Sequence, residues 1–402
     1  MSTMILIGNP DNKRTNGLQA ARARLGLSPA LVLSYIDVLQ GRADLISLAE
    51  SYEQLEKPPI LRVDAPGEHF EVERELIALG APSSTDSAIE EDDKFWLNYN
   101  DTFHPLSAKS ARSIKEVKGR LYHPSQWFRG YCRLLAKLDG QAKQLWNMPR
   151  WMNTPQDIAA MFDKRHTYQI LSAAGLPLPR RLVAPQAIQT YDALREAMAS
   201  ERSYRLFIKL ATGSGACGVI AYQLNPVTGA ESAVTTMGVE NYYTRPPLFY
   251  NVKKLVTYND RHAIRQMINW LLGHGAHIEQ WIPKASYQQH SFDIRQLVVA
   301  GKACHSIARA SKTPITNLHL DSKRMSLKQI GLSDLLQATV HQCAERALLA
   351  FSQSMVAGID VLLSSGSYQP YILDVNPFGD LLYDSHYQGY DPYEWEMRTI
   401  SI

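Results

Sequence analysis

Hydrophobic and polar residues alternate with two different periods along the chain, and these periods predict its strands and helices. Near the N terminus, residues 4–8 and 31–35 are short apolar runs that predict strands, and residues 17–26 between them have helical spacing. A strand, a helix and a strand in this order predict a small parallel α/β domain. Gly8-Asn9-Pro10 lacks the spaced glycines of a dinucleotide-binding fingerprint, so no such site is assigned there.

The same two periods recur through the rest of the chain. Thr154 followed by Pro155 is typical of a helix start, because threonine caps the first turn and proline fits its first position. That helix is predicted to run to residue 171. Other helices are predicted over residues 68–79, 260–272 and 335–356, and further strands over residues 144–149, 276–283, 291–301 and 302–309.

Two apolar strands near the C-terminal end carry the most informative polar residues. Residues 357–363 and 371–376 are separated by a serine-rich turn around Gly366, which predicts a β-hairpin. The first strand contains Asp360. The second contains Asp374 and Asn376, which are two positions apart and therefore point to the same face.

Pairing of the two strands would place Asp360 beside Asp374 and Asn376. Two carboxylates and an amide oxygen are hard oxygen ligands that suit Mg²⁺, and magnesium held this sparsely usually takes substrate phosphates as its remaining ligands. Nucleotide chemistry is therefore the first hypothesis. The alternative is that Asp374 belongs to a turn and that residues 376–379 are only a loop.

A glycine-rich loop lies between two other predicted strands, residues 204–211 and 219–224. It reads Gly213-Ser214-Gly215-Ala216-Cys217-Gly218, but a strand follows it where a dinucleotide fingerprint needs a helix. We interpret it as a flap whose backbone N–H groups can cover phosphates. Lys209 on the preceding strand favours phosphate contact, and a glycine hairpin without a ligand is the alternative.

Composition argues against several classes of protein. The chain has 402 residues, 45% hydrophobic and 20% charged, which is ordinary for a soluble globular protein of two or three domains. A net charge of +3 without a dense run of Lys and Arg gives no sign of nucleic-acid binding. We expect no membrane span and no signal peptide. The 4 cysteines are scattered, as expected of reduced thiols in a cytoplasmic protein.

Three stretches leave alternatives open. Residues 109–133 are basic and interleaved with aromatic side chains, so they either receive an anionic substrate or partner or form an ordinary surface helix and loop. His274 and His277 lack an obvious third ligand and are not assigned to zinc. The aromatic residues of 383–395 either close over an acceptor site or form an oligomer interface, and whether the protein is a homo-oligomer stays open.

From residue 145 to residue 381, the order of these features resembles the ATP-grasp superfamily of carboxylate–amine ligases, especially the branch of glutathione synthetase and the ribosomal-protein glutamate ligases. The motifs that carry the resemblance are Trp146-Asn-Met-Pro149, Asp163-Lys164, Gly175-Leu-Pro-Leu-Pro179, Asp293-Ile-Arg295, Val298 to Lys302, Arg309, Thr316-Asn317, Gly358-Ile-Asp360 and Asp374-Val-Asn376. Each motif is short, and the specificity comes from their order.

The resemblance implies an α/β (α+β) ATP-grasp fold in three parts. These are an N-terminal α/β pre-domain over residues 1–145, a central subdomain with a flap-bearing lid over residues 146–283, and a C-terminal metal-binding domain over residues 284–402.

The resemblance also implies roles for individual residues. The ATP phosphates are expected to contact Lys164, Lys209 and the flap residues Gly213, Ser214, Gly215 and Gly218. The adenine pocket is expected to be formed by the Glu279 carboxylate and the backbone of Gln280, Trp281 and Ile282. The catalytic residues are Arg295 and Arg309 on the transferring phosphate, with Asn317 near the metal or the acceptor. The metal ligands are Asp360, Asp374 and Asn376, with Mg²⁺ or Mn²⁺ as the ion.

The expected activity is an ATP- and Mg²⁺-dependent ligation. ATP would phosphorylate a substrate carboxylate, and an amine would attack the acyl phosphate to give an amide, ADP and phosphate. The substrates are expected to be small molecules or peptides. The alternatives are a kinase with the same fold and a regulatory ATP-binding module; a metallohydrolase is disfavoured because no histidine lies near the carboxylates in sequence.

Three departures from the family's pattern affect this reading. Asp374 stands where a glutamate is common, and Leu210 stands where a proline commonly follows the flap lysine. Residues 376–382 replace the usual run of small residues after the asparagine. The metal geometry and the acceptor pocket are therefore less closely specified by the resemblance than ATP binding is.

Overall fold

Three β-sheets organise the computed structural model of the chain. The structure describes residues 3–51, 58–82, 104–213, 215–320, 322–379, 382 and 384–400. Within these ranges, no helix combines the length and the apolar composition needed to cross a membrane.

The N-terminal layer is a parallel α/β layer. Its elements are β1 (Met4–Gly8), α1 (Lys13–Arg24), β2 (Leu31–Ser34), α2 (Tyr35–Leu39), α3 (Leu45–Glu50), β3 (Ile60–Val63), α4 (Phe70–Leu79), α5 (Ala108–Arg112), α6 (Pro124–Leu145) and β4 (Arg150–Trp151). The strand order is β2-β1-β3-β4 and every pair is parallel. Ile5, Ile7 and Leu61 are buried together with Phe128 and Leu135 of α6. The parallel α/β layer predicted from the sequence is confirmed.

The strand predicted over residues 144–149 is wrong. These residues form the end of α6 and the turn after it. Leu138 and Ala142 are buried one helical turn apart, and the extended C-cap residue Trp146 is buried in the same core, so the end of the helix packs within the N-terminal layer. A short apolar run does not separate a buried helix end from a strand by period alone. The strand begins only at Arg150, where it pairs with β3.

The helix predicted from Thr154 to residue 171 is interrupted. It consists of α7 (Pro155–Phe162) and α8 (Lys164–Ala173). The buried residue between them, Asp163, has an extended backbone, and its carboxylate accepts a hydrogen bond from the Arg165 backbone N–H at 2.8 Å. Asp163 is therefore the N-cap of α8. The interruption places Lys164 at the first position of a helix.

The lid is an antiparallel layer. Its elements are α9 (Tyr191–Ser200), β5 (Arg205–Leu210), β6 (Val219–Leu224), β7 (Glu231–Glu240), β8 (Leu248–Tyr258), α10 (Arg261–Gly273) and β9 (Ala276–Gln280). The strand order is β8-β7-β6-β5-β9. Leu194 of α9 and Ile264 and Ile268 of α10 share one buried core with Ile208 of β5. Strands β5 and β6 pair antiparallel, so the predicted loop between two strands is confirmed.

The C-terminal layer is a second antiparallel sheet. Its elements are β10 (Ser286–Tyr287), β11 (His290–Val299), β12 (Lys302–Ser311), β13 (Lys323–Met325), α11 (Asp334–Leu349), β14 (Val356–Leu363), β15 (Pro370–Asn376) and α12 (Pro392–Ile400). The strand order is β13-β12-β11-β14-β15, and β10 pairs with β11. The hairpin predicted for β14 and β15 is confirmed. The helix predicted over residues 335–356 ends earlier, at Leu349.

The described part of the aromatic tail packs within the chain. In α12, Tyr393 is buried against α1, where a Cβ on Gly17 would come within 2.8 Å of its ring. Trp395 meets Tyr387 edge-on at 4.9 Å. The tail thus joins the N-terminal and C-terminal layers; Tyr383 lies outside the described residues.

Candidate active site

A cavity of about 940 Å³ lies where the three layers meet. Most of the predicted site residues line it, namely Lys164, Lys209, Gly213, Gly215, Glu279, Gln280, Ile282, Arg295, Arg309, Asn317, Asp360, Asp374 and Asn376. Gly218 and Trp281 do not line it, and Ser214 lies outside the described residues. Residues from widely separated segments of the chain therefore face one space.

The hairpin of β14 and β15 holds the three residues predicted to bind metal. Asp360 and Asp374 are direct cross-strand partners, and Asn376 is the partner of Gly358. The Asn376 amide nitrogen donates to the Gly358 carbonyl at 3.0 Å, so its amide oxygen is the atom that a cation would use. The predicted neighbourhood of Asp360 and Asp374 is confirmed.

These residues form a sparse set of metal ligands. Among the described residues, no group of three or more His, Cys, Asp and Glu side chains is arranged to hold a metal ion. Two carboxylates and one amide oxygen suit Mg²⁺ only if a bound molecule completes the coordination, as substrate phosphates usually do. The donor set therefore fits a cation that is shared with a phosphate ligand.

Arginine and aspartate side chains alternate across the strands beside this hairpin. Arg295 faces Asp360 across β11 and β14, and Asp293 faces Arg309 across β11 and β12. Arg295 Nε lies 2.5 Å from Asp360 Oδ1, and Arg309 Nη2 lies 3.0 Å from the same oxygen. Burial alone would lower the pKa of Arg309, but Asp293 and Asp360 outweigh it and raise that pKa. Arg309 is therefore charged at the cavity wall.

Lys164 connects the base of the flap to the hairpin. Its Nζ donates to the Gly213 carbonyl at 2.8 Å and lies 3.1 Å from Asp374 Oδ2. Its backbone N–H donates to the Ala211 carbonyl at 2.9 Å. The position of Lys164 follows from the helix interruption at Asp163, which directs the first turn of α8 toward the flap.

Lys209 forms an ion pair with Glu279 on the neighbouring strand β9. The other Glu279 oxygen lies 3.0 Å from His277 Nε2. Burial alone would raise the pKa of the Glu279 carboxyl, but Lys209 and His277 bring it down to about 2. Burial likewise opposes the charge of Lys209, and Glu279 outweighs it, so the pKa of Lys209 is raised. In this structure Glu279 is the counter-ion of Lys209.

The stretch predicted to form the adenine pocket is only partly directed at the cavity. The Gln280 N–H donates to the Arg180 carbonyl at 2.8 Å, and the Trp281 N–H donates to the Arg205 carbonyl at 3.0 Å. The Trp281 ring lies under the Arg205 guanidinium at 4.2 Å. Of this stretch, Glu279, Gln280 and Ile282 line the cavity.

The residue before the flap, Thr212, offers a polar atom that suits a phosphate. The Thr212 hydroxyl is buried in the cavity wall and has no hydrogen-bond partner among the described residues. Gly215 and Gly218 have φ angles of +61° and +65°, which glycine adopts readily. A Cβ on Gly218 would also lie 2.9 Å from the Leu210 side chain. A buried hydroxyl without a partner is costly, so a polar group in the cavity beside Thr212 would be favoured.

Lys284 also lines the cavity, although no sequence pattern marks it. Its Nζ lies 2.9 Å from Asp293 Oδ2 and donates to Thr316 Oγ1 at 2.5 Å. Burial lowers the pKa of Lys284, and Asp293 offsets this only in part. A single lysine after Pro283 carries no motif, and only the folded sheet brings it to Asp293.

The N-terminal layer contributes cations that lie outside the motifs of the resemblance. Arg14, at the start of α1, lines the cavity and donates to the Phe378 carbonyl at 3.2 Å. Arg120 also lines it and stacks on Tyr122 at 4.8 Å. The stretch of residues 109–133 therefore does not act as one surface. Arg120 and Tyr122 face the cavity, while Tyr131 is buried in the N-terminal core.

The two histidines left unassigned to zinc have separate partners. His274 Nδ1 lies 2.8 Å from the Ser125 hydroxyl, whereas His277 is bound to Glu279. Burial lowers the pKa of His274 to about 3 and also lowers that of His277. Both imidazoles are therefore buried neutral groups.

Neither a protein-family model nor a curated protein sequence matches the chain. Solved structures do match over its whole length. The D-cycloserine synthetase DcsG is 12% identical, with a TM-score of 0.53, over 100% of this chain and 98% of that one. The ATP-grasp ligase PsnB, in complex with a minimal precursor, is 10% identical, with a TM-score of 0.50, over the same shares. With its parallel N-terminal sheet and two antiparallel sheets, the chain has the α/β ATP-grasp fold predicted from its sequence.

Proposed function

We propose that the protein is an ATP- and Mg²⁺-dependent ligase that activates a substrate carboxylate as an acyl phosphate for attack by an amine. The observation that carries the proposal is the convergence of Lys164, Lys209, Arg309, Asp360 and Asn376 on one cavity of an ATP-grasp fold. A structural ion-pair network would not need these residues to face a common open space.

The charge of the cavity supports a polyanionic ligand. Its lining includes nine basic side chains, Lys13, Arg14, Arg120, Lys164, Lys209, Lys284, Arg295, Arg309 and Arg324. It includes six acidic side chains, Glu68, Glu73, Glu279, Asp293, Asp360 and Asp374. The excess of positive charge favours a molecule that carries several phosphates over a neutral one.

The residues around the flap would bind the phosphates. Lys164 and Lys209 would offer charged donors, and the Thr212 hydroxyl would gain the partner that it lacks. Asp360, Asp374 and Asn376 would hold the cation. Magnesium bound there supplies positive charge to the phosphate oxygens, which phosphoryl transfer needs more than covalent chemistry from the protein.

The two arginines of the C-terminal sheet would stabilise charge during transfer. Arg295 and Arg309 are fixed by Asp360 and Asp293, so their guanidinium groups are oriented before a ligand arrives. Preorganised donors of this kind lower the barrier because they do not have to reorient during the reaction. Asn317, on the same wall, would contact the metal or the acceptor. The flap would exclude water, which otherwise hydrolyses an acyl phosphate.

The substrates would enter from the side of the N-terminal layer, where Arg14 and Arg120 line the cavity. We propose small molecules or peptides as the carboxylate and the amine. PsnB was solved with a precursor, and DcsG is named for the synthesis of a small molecule. The division at residues 145 and 283 into pre-domain, lid and metal-binding domain is part of the same proposal.

Analysis of the nucleotide products tests the proposed function. The protein is incubated with ATP, Mg²⁺ and a cell extract of metabolites and peptides, and the products are resolved chromatographically. ADP and phosphate that depend on the extract are expected, with loss of turnover in Asn376→Ala and no loss in Asn225→Ala, a substitution in an exposed lid turn. AMP and pyrophosphate would contradict the acyl-phosphate route. A stable phosphorylated product without an amide would indicate a kinase.

A further inference from the structure

The loop that follows the last predicted metal ligand is held from the N-terminal side of the molecule. This loop comprises residues 377–379. Asn153, which lies between β4 and α7, donates from Nδ2 to the Pro377 carbonyl at 2.6 Å. Arg14 donates to the Phe378 carbonyl at 3.2 Å. The contacts tie the loop to residues that no motif connects with a metal site.

Asn153 makes contacts on both edges of its amide group. Besides Pro377, Nδ2 donates to the Val356 carbonyl at 2.7 Å. The amide oxygen accepts hydrogen bonds from the Met355 and Val356 N–H groups, both at 3.0 Å. An asparagine amide has two donor hydrogens and two acceptor lone pairs, and all four are used here. The side chain is 5% exposed, so its orientation is fixed.

The partners of Asn153 lie at the open end of the hairpin formed by β14 and β15. Val356 is the first residue of β14, and Pro377 comes directly after β15. Between them, Gly358 and Asn376 are cross-strand partners. Asn153 therefore bridges the two strands at the end opposite the turn at Gly366, next to the amide oxygen that would bind the cation.

We propose that Asn153 is a positioning residue for the cation site, holding Asn376 in register with Asp360 and Asp374. This proposal depends on the proposed function only because it takes Asn376 as a metal ligand. Asparagine is required because aspartate cannot donate to the two carbonyls and alanine reaches neither strand. Without the bridge, the loop after Asn376 loses a buried hydrogen bond at its first residue, and among the described residues the Asn376 amide is held only by its bond to the Gly358 carbonyl.

A matched pair of substitutions separates positioning from general stability. Asn153→Ala removes the bridge between β14 and the loop. Asp157→Ala removes two hydrogen bonds to the turn before β14, those from the Gln353 N–H at 3.1 Å and the Ser354 hydroxyl at 2.8 Å, without touching the loop. Asn153→Ser, which keeps one short donor, is the second variant if the alanine protein does not fold.

The test measures Mn²⁺ affinity by electron paramagnetic resonance in the presence of AMPPNP, with AMPPNP affinity in EDTA and the melting temperature measured alongside. Loss of a residue that orients a metal ligand typically weakens metal affinity about tenfold or more. That loss is expected in Asn153→Ala and, to a smaller extent, in Asn153→Ser, with metal-free AMPPNP affinity unchanged. Asp157→Ala is expected to lower the melting temperature while leaving Mn²⁺ affinity unchanged.

Two outcomes would overturn the proposal. Unchanged Mn²⁺ affinity in both Asn153 variants would do so, as would an equal loss in Asp157→Ala. Asn376→Ala identifies which claim has failed. If it also leaves Mn²⁺ affinity unchanged, the metal assignment in the proposed function falls together with the positioning role. If it weakens Mn²⁺ binding while the Asn153 variants do not, only the positioning role is wrong.

Discussion

At the scale of single residues, the side chains predicted to hold phosphate are paired with those predicted to hold the cation. Lys164 lies 3.1 Å from Asp374, and Arg295 and Arg309 both contact Asp360. Such pairing avoids leaving buried charges without partners, which would be strongly destabilising. A free divalent cation has to displace these lysine and arginine partners, whereas a magnesium–nucleotide complex offers each of them a phosphate.

Lys164→Gln tests this exchange of partners. Removing a charged hydrogen bond of about 1.5–3 kcal/mol should weaken binding of Mg²⁺·AMPPNP about tenfold to a hundredfold. Affinity for Mn²⁺ without nucleotide should instead rise, because Asp374 no longer has a competing cation. Isothermal titration measures both affinities. Lys143→Gln, which removes the exposed lysine of an ion pair on α6, is the control. A parallel loss of both affinities would contradict the exchange.

Glu279→Gln tests the role of Glu279 as a counter-ion. Removing one partner of a buried ion pair costs about 3–5 kcal/mol, so the free energy of unfolding at neutral pH should fall by this order. Because the pKa of Glu279 drops from 4.5 to about 2 on folding, its stabilising effect is complete above pH 4.5 and disappears as the pH falls toward 2.

The difference between the wild-type protein and Glu279→Gln should therefore shrink as the pH falls below 4.5. Urea unfolding over a pH series measures it. A difference that stays constant with pH, or a variant as stable as the wild-type protein at neutral pH, would refute the counter-ion role.

At the scale of elements, the interruption between α7 and α8 sets the direction of Lys164. Asp163 caps α8 and also binds the Arg165 guanidinium at 2.8 Å. The sequence predicted one continuous helix because the apolar spacing continues through this region, and an aspartate within it is compatible with a helix. The interruption follows from tertiary contacts, since the Lys164 N–H donates to Ala211 at the base of the flap.

Asp163→Ala should weaken nucleotide binding beyond its effect on stability. Loss of an N-cap costs about 0.5–2 kcal/mol, and here the cap also orients Lys164. Thr190→Ala removes an equivalent cap from α9 in the lid, where Thr190 accepts from the Ala193 N–H at 3.2 Å. Both variants should melt at lower temperature, but only Asp163→Ala should lose AMPPNP affinity. Equal affinities in the two would show that the interruption has no role in binding.

The sequence was informative where a local pattern decides the structure. The alternation of apolar and polar residues around Asp360 and Asp374, with a glycine turn between them, was enough to predict the hairpin. Both the spacing of apolar residues and the choice of turn residues are local properties of the sequence. The strand predicted over residues 144–149 failed because its first two residues are the end of the long helix α6. Asn153 could not be identified because its partners Val356 and Pro377 lie far away in sequence. Lys284 could not be identified because it belongs to no motif and meets Asp293 and Thr316 only in the folded sheet.

At the scale of the whole molecule, all three layers bound the cavity. The lid is joined to the N-terminal layer by main-chain hydrogen bonds, since the Leu121 N–H donates to the Phe249 carbonyl at 2.8 Å and the Asn251 N–H donates to the Gly119 carbonyl at 2.7 Å. The order of motifs indicated the ATP-grasp fold because that order reflects the sequence of elements. It did not indicate what Arg14 contributes, because the motifs that carry the resemblance begin only at residue 146.

Transfer of oxygen from the substrate carboxylate to phosphate tests the central claim most directly. The protein is incubated with ATP, Mg²⁺ and a mixture of amino acids and peptides whose carboxyl groups carry ¹⁸O, and the phosphorus products are read by ³¹P NMR. If an acyl phosphate forms and the amine then displaces phosphate, one ¹⁸O atom passes from the carboxylate to inorganic phosphate. This labelled phosphate should form together with ADP and an amide. Label in AMP, or phosphate without label, would contradict the account.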